Sequence, residues 1–217
     1  MKIRSDQQPP GCQHSDWKDH WEGVYAQKNP DEVSWHQSHP QHSLALIGNT
    51  GFGTTASIID IGGGASTLID HLLTVGYRDL TILDIARTAI RRAQDRLGDR
   101  SQQVTWIEAD ITGYTPERTF NIWHDRAVFH FLTLEHDRDS YLEVLDRALQ
   151  PGGQAIIATF TDSGPSQCSG LDVVRYSPDE LSKALGPKLR LIETMKEDHR
   201  THNGGLQQLV YCRFCRS

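Results

Sequence analysis

What the chain has little of narrows it first. Cysteine occurs four times in 217 residues, as Cys12, Cys168, Cys212 and Cys215. The last two form a C-x-x-C in "YCRFCR", but that run alternates like a strand, where residues three apart point to opposite faces. No further ligands stand at matching spacing, so neither a zinc site nor a redox pair is read here and no metal is expected. The eleven histidines are scattered, without an H-E-x-x-H pair. No run approaches the ~18 apolar residues of a membrane span. The opening "MKIRSDQQPPGCQHSDW" has no apolar segment of the secretory kind. Both absences point to a cytoplasmic protein without a membrane partner. Basic blocks are missing too. The nearest, "RTAIRRAQDR" (87–96), spaces its arginines helically beside acidic neighbours and reads as a solvated face. With a formal net charge of −6, no nucleic-acid partner is expected. A small-molecule ligand and a monomer or homodimer are.

What is present reads as a globular protein. A chain of 217 residues with 37% hydrophobic and 23% charged residues supports one domain with a sizeable core. After a polar tail, Trp17, Trp21, Val24 and Tyr25 recur three to four residues apart, which predicts an amphipathic helix over 16–27. "QHSLALIG" (41–48) is a short helix stopped by Gly48. From "SIIDI" (57–61) onward, strands at 79–85, 103–110, 120–125 and 154–160 alternate with helices at 66–76, 86–98, 137–150 and 177–186. The last of these helices opens with Ser177 as N-cap, Pro178 next and Glu180 at the third position. Two extended runs, 189–200 and 206–215, are joined by the hairpin signal "THNGG". Alternating strands and helices imply a parallel sheet covered on both faces, with an antiparallel hairpin at one edge. Residues 1–50 read as tail and lid, and 51–217 as the core of a single domain overall.

The stretch "SIIDIGGGAST" (57–67) runs a strand into three glycines and then a helix. Such a turn lets a ligand approach bare backbone, at the rim where doubly wound sheets bind their ligands. NAD and S-adenosylmethionine are the two candidates. Asp84, ending the second strand, suits either, because a carboxylate accepts both hydroxyls of any adenosine ribose. Three features favour the sulfonium. Thr67 stands where a dinucleotide fingerprint has its third glycine. Asp60 precedes the turn, where it repels a pyrophosphate and attracts an ammonium. Asp110 ends the third strand in "EAD", placed for an adenine amine, with Ile111 flanking the ring. Structural roles stand beside these: Asp60 as a cap for the turn amides, Gly63 as a turn former, Asp84 as a strand-end cap.

In this order, "IIDIGGGAST", "LTILDIA", "WIEADI", "FNIWHDRAVFHFL" and "LQPGGQAIIATF" resemble the successive motifs of class I S-adenosylmethionine-dependent methyltransferases. The resemblance runs from about residue 57 to the C-terminal hairpin. It implies an α/β fold: a Rossmann-like, doubly wound, mostly parallel seven-stranded sheet with the last strand inserted antiparallel. It also implies that Asp60, Gly62, Gly63, Gly64, Asp84, Ile85, Asp110 and Ile111 line a pocket for S-adenosyl-L-methionine.

Methyl transfer is an in-line displacement at an electrophilic carbon, so alignment and exclusion of water matter more than a base. Two segments are read as walls of the acceptor site, "WEGVYAQKNPDEVSWHQSHP" and "HDRAVFHF". Tyr25, Trp35 and His36 are expected as a helical lid over the methionine end of the cofactor, while Trp17 and Trp21 pack the first helix on the sheet. Asp125 and Arg126 follow the fourth strand. They are either a local ion pair or a catalytic pair, with Arg126 orienting an anion and Asp125 also meeting the cofactor. His130 is helix packing or a base. This layout resembles thiopurine and small-thiol methyltransferases, which implies a thiol acceptor ionised beside Arg126 and a catalytic set of His36, Asp125 and Arg126. A second resemblance is to lysine methyltransferases acting on elongation factors, where a lysine stands in place of Arg126. A non-catalytic scaffold that only binds S-adenosylmethionine is the third reading. Its signature is eroded glycine and acid positions, and here they are intact.

Overall fold

The computed structural model describes residues 14–29 and 31–217, with side chains from Asp16 onward. The expected polar tail and Cys12 lie outside the described residues. The first helix, α1 (His14–Gln27), is followed by α2 (Gln41–Gly48) and by a sheet strand, β1 (Ser57–Ile61). The chain then alternates through α3 (Leu68–Val75), β2 (Asp79–Asp84), α4 (Arg87–Leu97), β3 (Val104–Glu108) and β4 (Phe120–Arg126). It continues through α5 (Glu135–Ala148), β5 (Leu149–Phe160), the two-residue strands β6 (Gln167–Cys168) and β7 (Leu171–Asp172), and α6 (Pro178–Leu185). The hairpin β8 (Leu189–Arg200) and β9 (Leu206–Arg216) ends the chain.

Seven strands form one sheet in the order β3-β2-β1-β4-β5-β9-β8. The first five run parallel, and β9 lies antiparallel between β5 and β8. Strand order reverses between β1 and β4, so a crevice opens beyond their carboxyl ends.

The two-residue period of a strand sorts the core. Ile58, Ile122, Ile156 and Tyr211 pack with Leu46 and Ile47 of α2 and Leu68, Ile69 and Leu72 of α3. Their neighbours Ile59, Trp123, Ile157 and Cys212 pack on the other face with Tyr141 and Leu145 of α5 and Leu181 of α6. All five residues of β1 are buried, as a parallel strand covered on both faces requires. The capping box predicted for α6 is present: Ser177 Oγ accepts from the Glu180 amide at 3.3 Å, and Glu180 accepts from the Ser177 amide at 2.9 Å.

Two departures have local causes. Pro151-Gly152-Gly153 does not precede β5 but lies within it, accommodated by a register shift between Phe120 and Ile122 on β4. The β6–β7 hairpin turns through Ser169 (φ 53°) and Gly170 (φ 80°), the left-handed pair that a two-residue loop needs.

Segment 31–40 crosses the open end of the sheet and is tied down on both sides. Thr67 Oγ1 donates to the Gln37 carbonyl at 2.7 Å, and the His71 ring meets the Ser38 carbonyl at 3.0 Å. On the far side the His199 ring bonds the Ser34 carbonyl at 2.7 Å, and Gln37 bonds Glu197 of β8. Each such bond contributes roughly 0.5–1.5 kcal/mol, so the strap is held by several small terms.

Candidate cofactor and active site

At the end of β1 the chain has to turn away from the crevice without filling it. Gly62 does so with φ 66°, its amide donating to the Leu83 carbonyl at 2.7 Å, and a Cβ there would overlap a methyl of Val128. A Cβ on Gly63 would overlap the Asp60 carboxylate, and one on Gly64 would sit 2.5 Å from Asp84 Oδ2. The glycines therefore make room for two acids. Asp84 is buried, with Oδ2 accepting the Gly64 amide at 2.9 Å and Oδ1 the Ala86 amide at 2.8 Å. Burial pushes its pKa up to about 6; Asp60 and Glu22 add to the shift and the two amides oppose it. Asp60 faces the next strand, where Oδ1 lies 2.6 Å from His124 Nδ1, and His124 Nε2 lies 2.9 Å from Ser43 Oγ. Asp110 Oδ1 accepts from the amide and hydroxyl of Thr112, which fixes the turn after β3.

Two adjoining cavities open over this rim. The larger, of about 790 Å³, is walled by Asp84, Ile85, Asp110 and Ile111 on one side and by Trp17, Trp21, Tyr25 and Trp35 on the other. The smaller, of about 570 Å³, runs along the glycine turn between Asp60, Gly63, His36 and Arg126. Tyr25, Trp35, Gly62 and Arg126 line both. Trp21, Tyr25 and Trp35 meet one another with ring centroids 5.7–6.5 Å apart, forming an aromatic wall. Such faces suit a cation. Trp17 and Trp21, expected only as packing, both pack against Phe131 and line the cavity.

The last residues of β4 part company. Asp125 is fully buried, turned into the core, and lines neither cavity. It accepts the Tyr141 hydroxyl at 2.6 Å and the Val128 and Phe129 amides at 2.8 and 3.1 Å, and burial pushes its pKa up to about 6. Arg126, on the opposite face, donates through Nε to the Tyr211 hydroxyl at 2.8 Å and through Nη1 to the Trp35 carbonyl at 3.0 Å. Glu197 stands 3.7 Å from its Nη2. The pair expected after the fourth strand is therefore neither an ion pair nor a joint catalytic unit. Adjacent residues on a strand point to opposite faces, and that signal was in the sequence. His130 packs between Phe131 and Phe160, with burial, reinforced by Arg126, lowering its pKa to about 3. It is a neutral packing residue in a short 3₁₀ turn.

Of the residues read from sequence, Tyr25, Trp35, His36, Asp60, Gly62, Gly63, Asp84, Ile85, Asp110, Ile111 and Arg126 line one or both cavities. Gly64 lies beneath Asp84. Ser43 and Cys168 also line the site and carry no assignment from sequence, and His124, which opens the "HDRAVFHF" segment, carries no individual role there. His124 lay two residues before Arg126 on the same strand face; Cys168 sits on the small hairpin, whose cue was the Ser169-Gly170 dipeptide.

Residues 59–155 match the family model of a methyltransferase domain. This part of the chain is similar to methyltransferase domains. Among curated relatives, "eEF1A lysine and N-terminal methyltransferase" of Mus musculus is 24% identical over 152 residues, 67% of this chain and 22% of that protein. This chain thus spans about a fifth of the length of the relative it matches. The N-methyltransferase NodS from Bradyrhizobium japonicum, solved with S-adenosyl-l-homocysteine, is 19% identical with a TM-score of 0.71, covering 92% of this chain and 97% of that one. A structure described for conversion of a disulfide bond into a thioacetal group during echinomycin biosynthesis superposes with a TM-score of 0.75 at 21% identity, covering 92% and 91%. The matched stretch runs from β1 into β5, and the hairpin β8–β9 completes the same sheet. Among the described residues, no helix is long and apolar enough to cross a membrane.

The residues lining the two cavities fit S-adenosylmethionine, the ligand that the sequence resemblance implies. The glycine turn leaves a cradle that a Cβ would fill, two strand-end acids stand at one cavity wall, and a buried guanidinium nitrogen, Arg126 Nη2, has no hydrogen-bond partner among the described residues. Asp84 would hold the ribose hydroxyls, Ile85 and Ile111 the adenine faces, and Asp60 the ammonium. When bound, S-adenosylmethionine supplies an electrophilic methyl group on a sulfonium.

Proposed function

We propose that this chain methylates a nitrogen nucleophile carried by a protein, a lysine side chain or an N-terminal amine of an elongation-factor type of substrate. The observation that carries this reading is the match to the eEF1A lysine and N-terminal methyltransferases, which extends over about two thirds of the chain, 67% in the mouse protein. The physical argument for a thiol acceptor has meanwhile lost its footing. It required Asp125 and Arg126 to meet the acceptor as a pair, whereas Asp125 is turned into the core and Nε and Nη1 of Arg126 are committed to Tyr211 and to the Trp35 carbonyl. Glu197, 3.7 Å from Nη2, offsets the repulsion that Arg126 would exert on an amine. An aromatic wall of Trp21, Tyr25 and Trp35 favours cationic groups over anionic ones.

An ammonium must lose its proton before it attacks. His36, which lines the smaller cavity from the lid, is the side chain we assign to receive it. With the cofactor bound, the aromatic lid would exclude water and help to align the amine for transfer. The test is label transfer from methyl-tritiated S-adenosylmethionine into a protein extract, set against a panel of small thiols. Label in a protein band, mapped to lysine or to an N-terminus, supports the proposal. Turnover of small thiols with an unlabelled extract overturns it.

A further inference from the structure

The smaller cavity presents two opposed charges on one face of the sheet. Asp60 and His124 are paired across β1 and β4, and Arg126 lies two residues beyond His124 on the same face. Strand spacing and rise put Asp60 and Arg126 diagonally, about 8 Å apart between backbones. Asp60 is fixed there by the His124–Ser43 relay, with the ring nitrogens at 2.6 and 2.9 Å from its neighbours.

Arg126 is also fixed, but incompletely satisfied. Its Nε and Nη1 donate to Tyr211 and to the Trp35 carbonyl. Its Nη2 is sealed from solvent and makes no hydrogen bond among the described residues. The nearest anion, Glu197 Oε2, stands at 3.7 Å, outside hydrogen-bond reach, and already accepts the Tyr211 hydroxyl at 2.8 Å. Burial opposes the guanidinium charge, yet Tyr211 and Glu197 keep its pKa above the ordinary value. A buried donor left without an acceptor calls for an explanation, and a ligand is one. A guanidinium edge matches a carboxylate in shape and charge.

We propose that Arg126 binds the α-carboxylate at the amino-acid end of the cofactor, opposite Asp60 and the ammonium, and does not touch the methyl acceptor. The inference rests on S-adenosylmethionine as the cofactor and is independent of which nucleophile accepts the methyl group. Arg126 then reads the amino acid of the cofactor and leaves the acceptor to other groups.

Calorimetric binding of three ligands to the full chain tests it: S-adenosylhomocysteine, its decarboxylated analogue, and 5′-methylthioadenosine. The native protein should favour S-adenosylhomocysteine over the decarboxylated analogue by at least about tenfold, the worth of one charge-assisted contact. In Arg126→Met that preference should collapse to within about twofold, while methylthioadenosine binding holds. Arg126→Lys, which keeps the charge, should retain part of the preference. No preference in the native protein overturns the proposal without any variant. An equal loss for all three ligands in Arg126→Met makes Arg126 a structural residue and also overturns it. Unchanged S-adenosylhomocysteine affinity with a raised KM for the acceptor moves the carboxylate to the acceptor and overturns it too. Failure of all three ligands to bind the native protein would instead strike at the cofactor itself.

Discussion

The Asp84 carboxylate accepts the amide of Gly64 at 2.9 Å, joining the end of β2 to the turn after β1 across twenty positions of sequence. With Ala86 on its other oxygen, the carboxylate is held at the cavity wall while each oxygen keeps acceptor capacity for a ligand. Replacing Asp84 by alanine should weaken S-adenosylhomocysteine at least about tenfold, since charge-assisted hydrogen bonds contribute roughly 1.5–3 kcal/mol each. Calorimetry on a variant with native circular dichroism checks it. An unchanged dissociation constant refutes the ribose assignment.

The raised pKa of Asp84, about 6, gives the same contact a pH signature. Ribose hydroxyls donate to the ionised carboxylate, so binding below pH 6 should expel a proton. Affinity should climb as pH rises through 6 and level off above 7. Titrations at pH 6 in two buffers of different ionisation heat would report the proton; identical heats would contradict the prediction.

Gly64 allows a second approach to Asp84. A methyl group there would lie 2.5 Å from Asp84 Oδ2 and 2.6 Å from the Ala89 methyl, whereas an added Cβ on Gly48 meets nothing within 4 Å among the described residues. Gly64→Ala should therefore lose cofactor affinity by about tenfold or more, the worth of a displaced charge contact. Gly48→Ala should bind as the native chain does. Equal affinities in the two variants would show that the turn tolerates the methyl.

Tyr141 offers a contrast, because its hydroxyl serves the core. It accepts Trp123 Nε1 at 2.8 Å and donates to Asp125 at 2.6 Å. Tyr141→Phe should cost roughly 1–3 kcal/mol of stability and leave cofactor affinity untouched. Asp125 has a folded pKa of about 6 against about 3.9 unfolded. As an acid with a raised pKa it lowers stability as pH rises between those values, because the folded state then holds the extra proton. Tyr141 stabilises its ionised form, so the penalty of Tyr141→Phe should be larger at pH 8 than at pH 5. Urea melts at both values decide it; an equal penalty would show that Asp125 does not ionise there.

Local pattern carried much of the fold. The predicted helix at 41–48 and strand at 57–61 coincide with α2 and β1, because their signals are short-range: an apolar run, and a glycine to stop it. The strand through Pro151 was not readable, since its register shift depends on Phe120 and Ile122 of a partner strand. The cofactor rim was read from acids at strand ends, where position alone fixes direction. Asp125 does not share the cavity with Arg126, because alternation along β4 turns adjacent side chains to opposite faces. The ties of the strap could not be read at all: Gln37 meets Glu197 across 160 residues. Nothing in either local sequence announces the other.

The aromatic lid also makes the chain its own optical reporter. Of its five tryptophans, Trp17, Trp21 and Trp35 border the larger cavity, while Trp106 and Trp123 do not. Indole emission responds to the polarity of its surroundings and to stacking partners. A purine entering beside these three rings will change the intrinsic fluorescence of the native protein. Occupancy can therefore be followed at micromolar chain concentrations with no label attached, and Trp35→Phe separates the strap's contribution from that of α1.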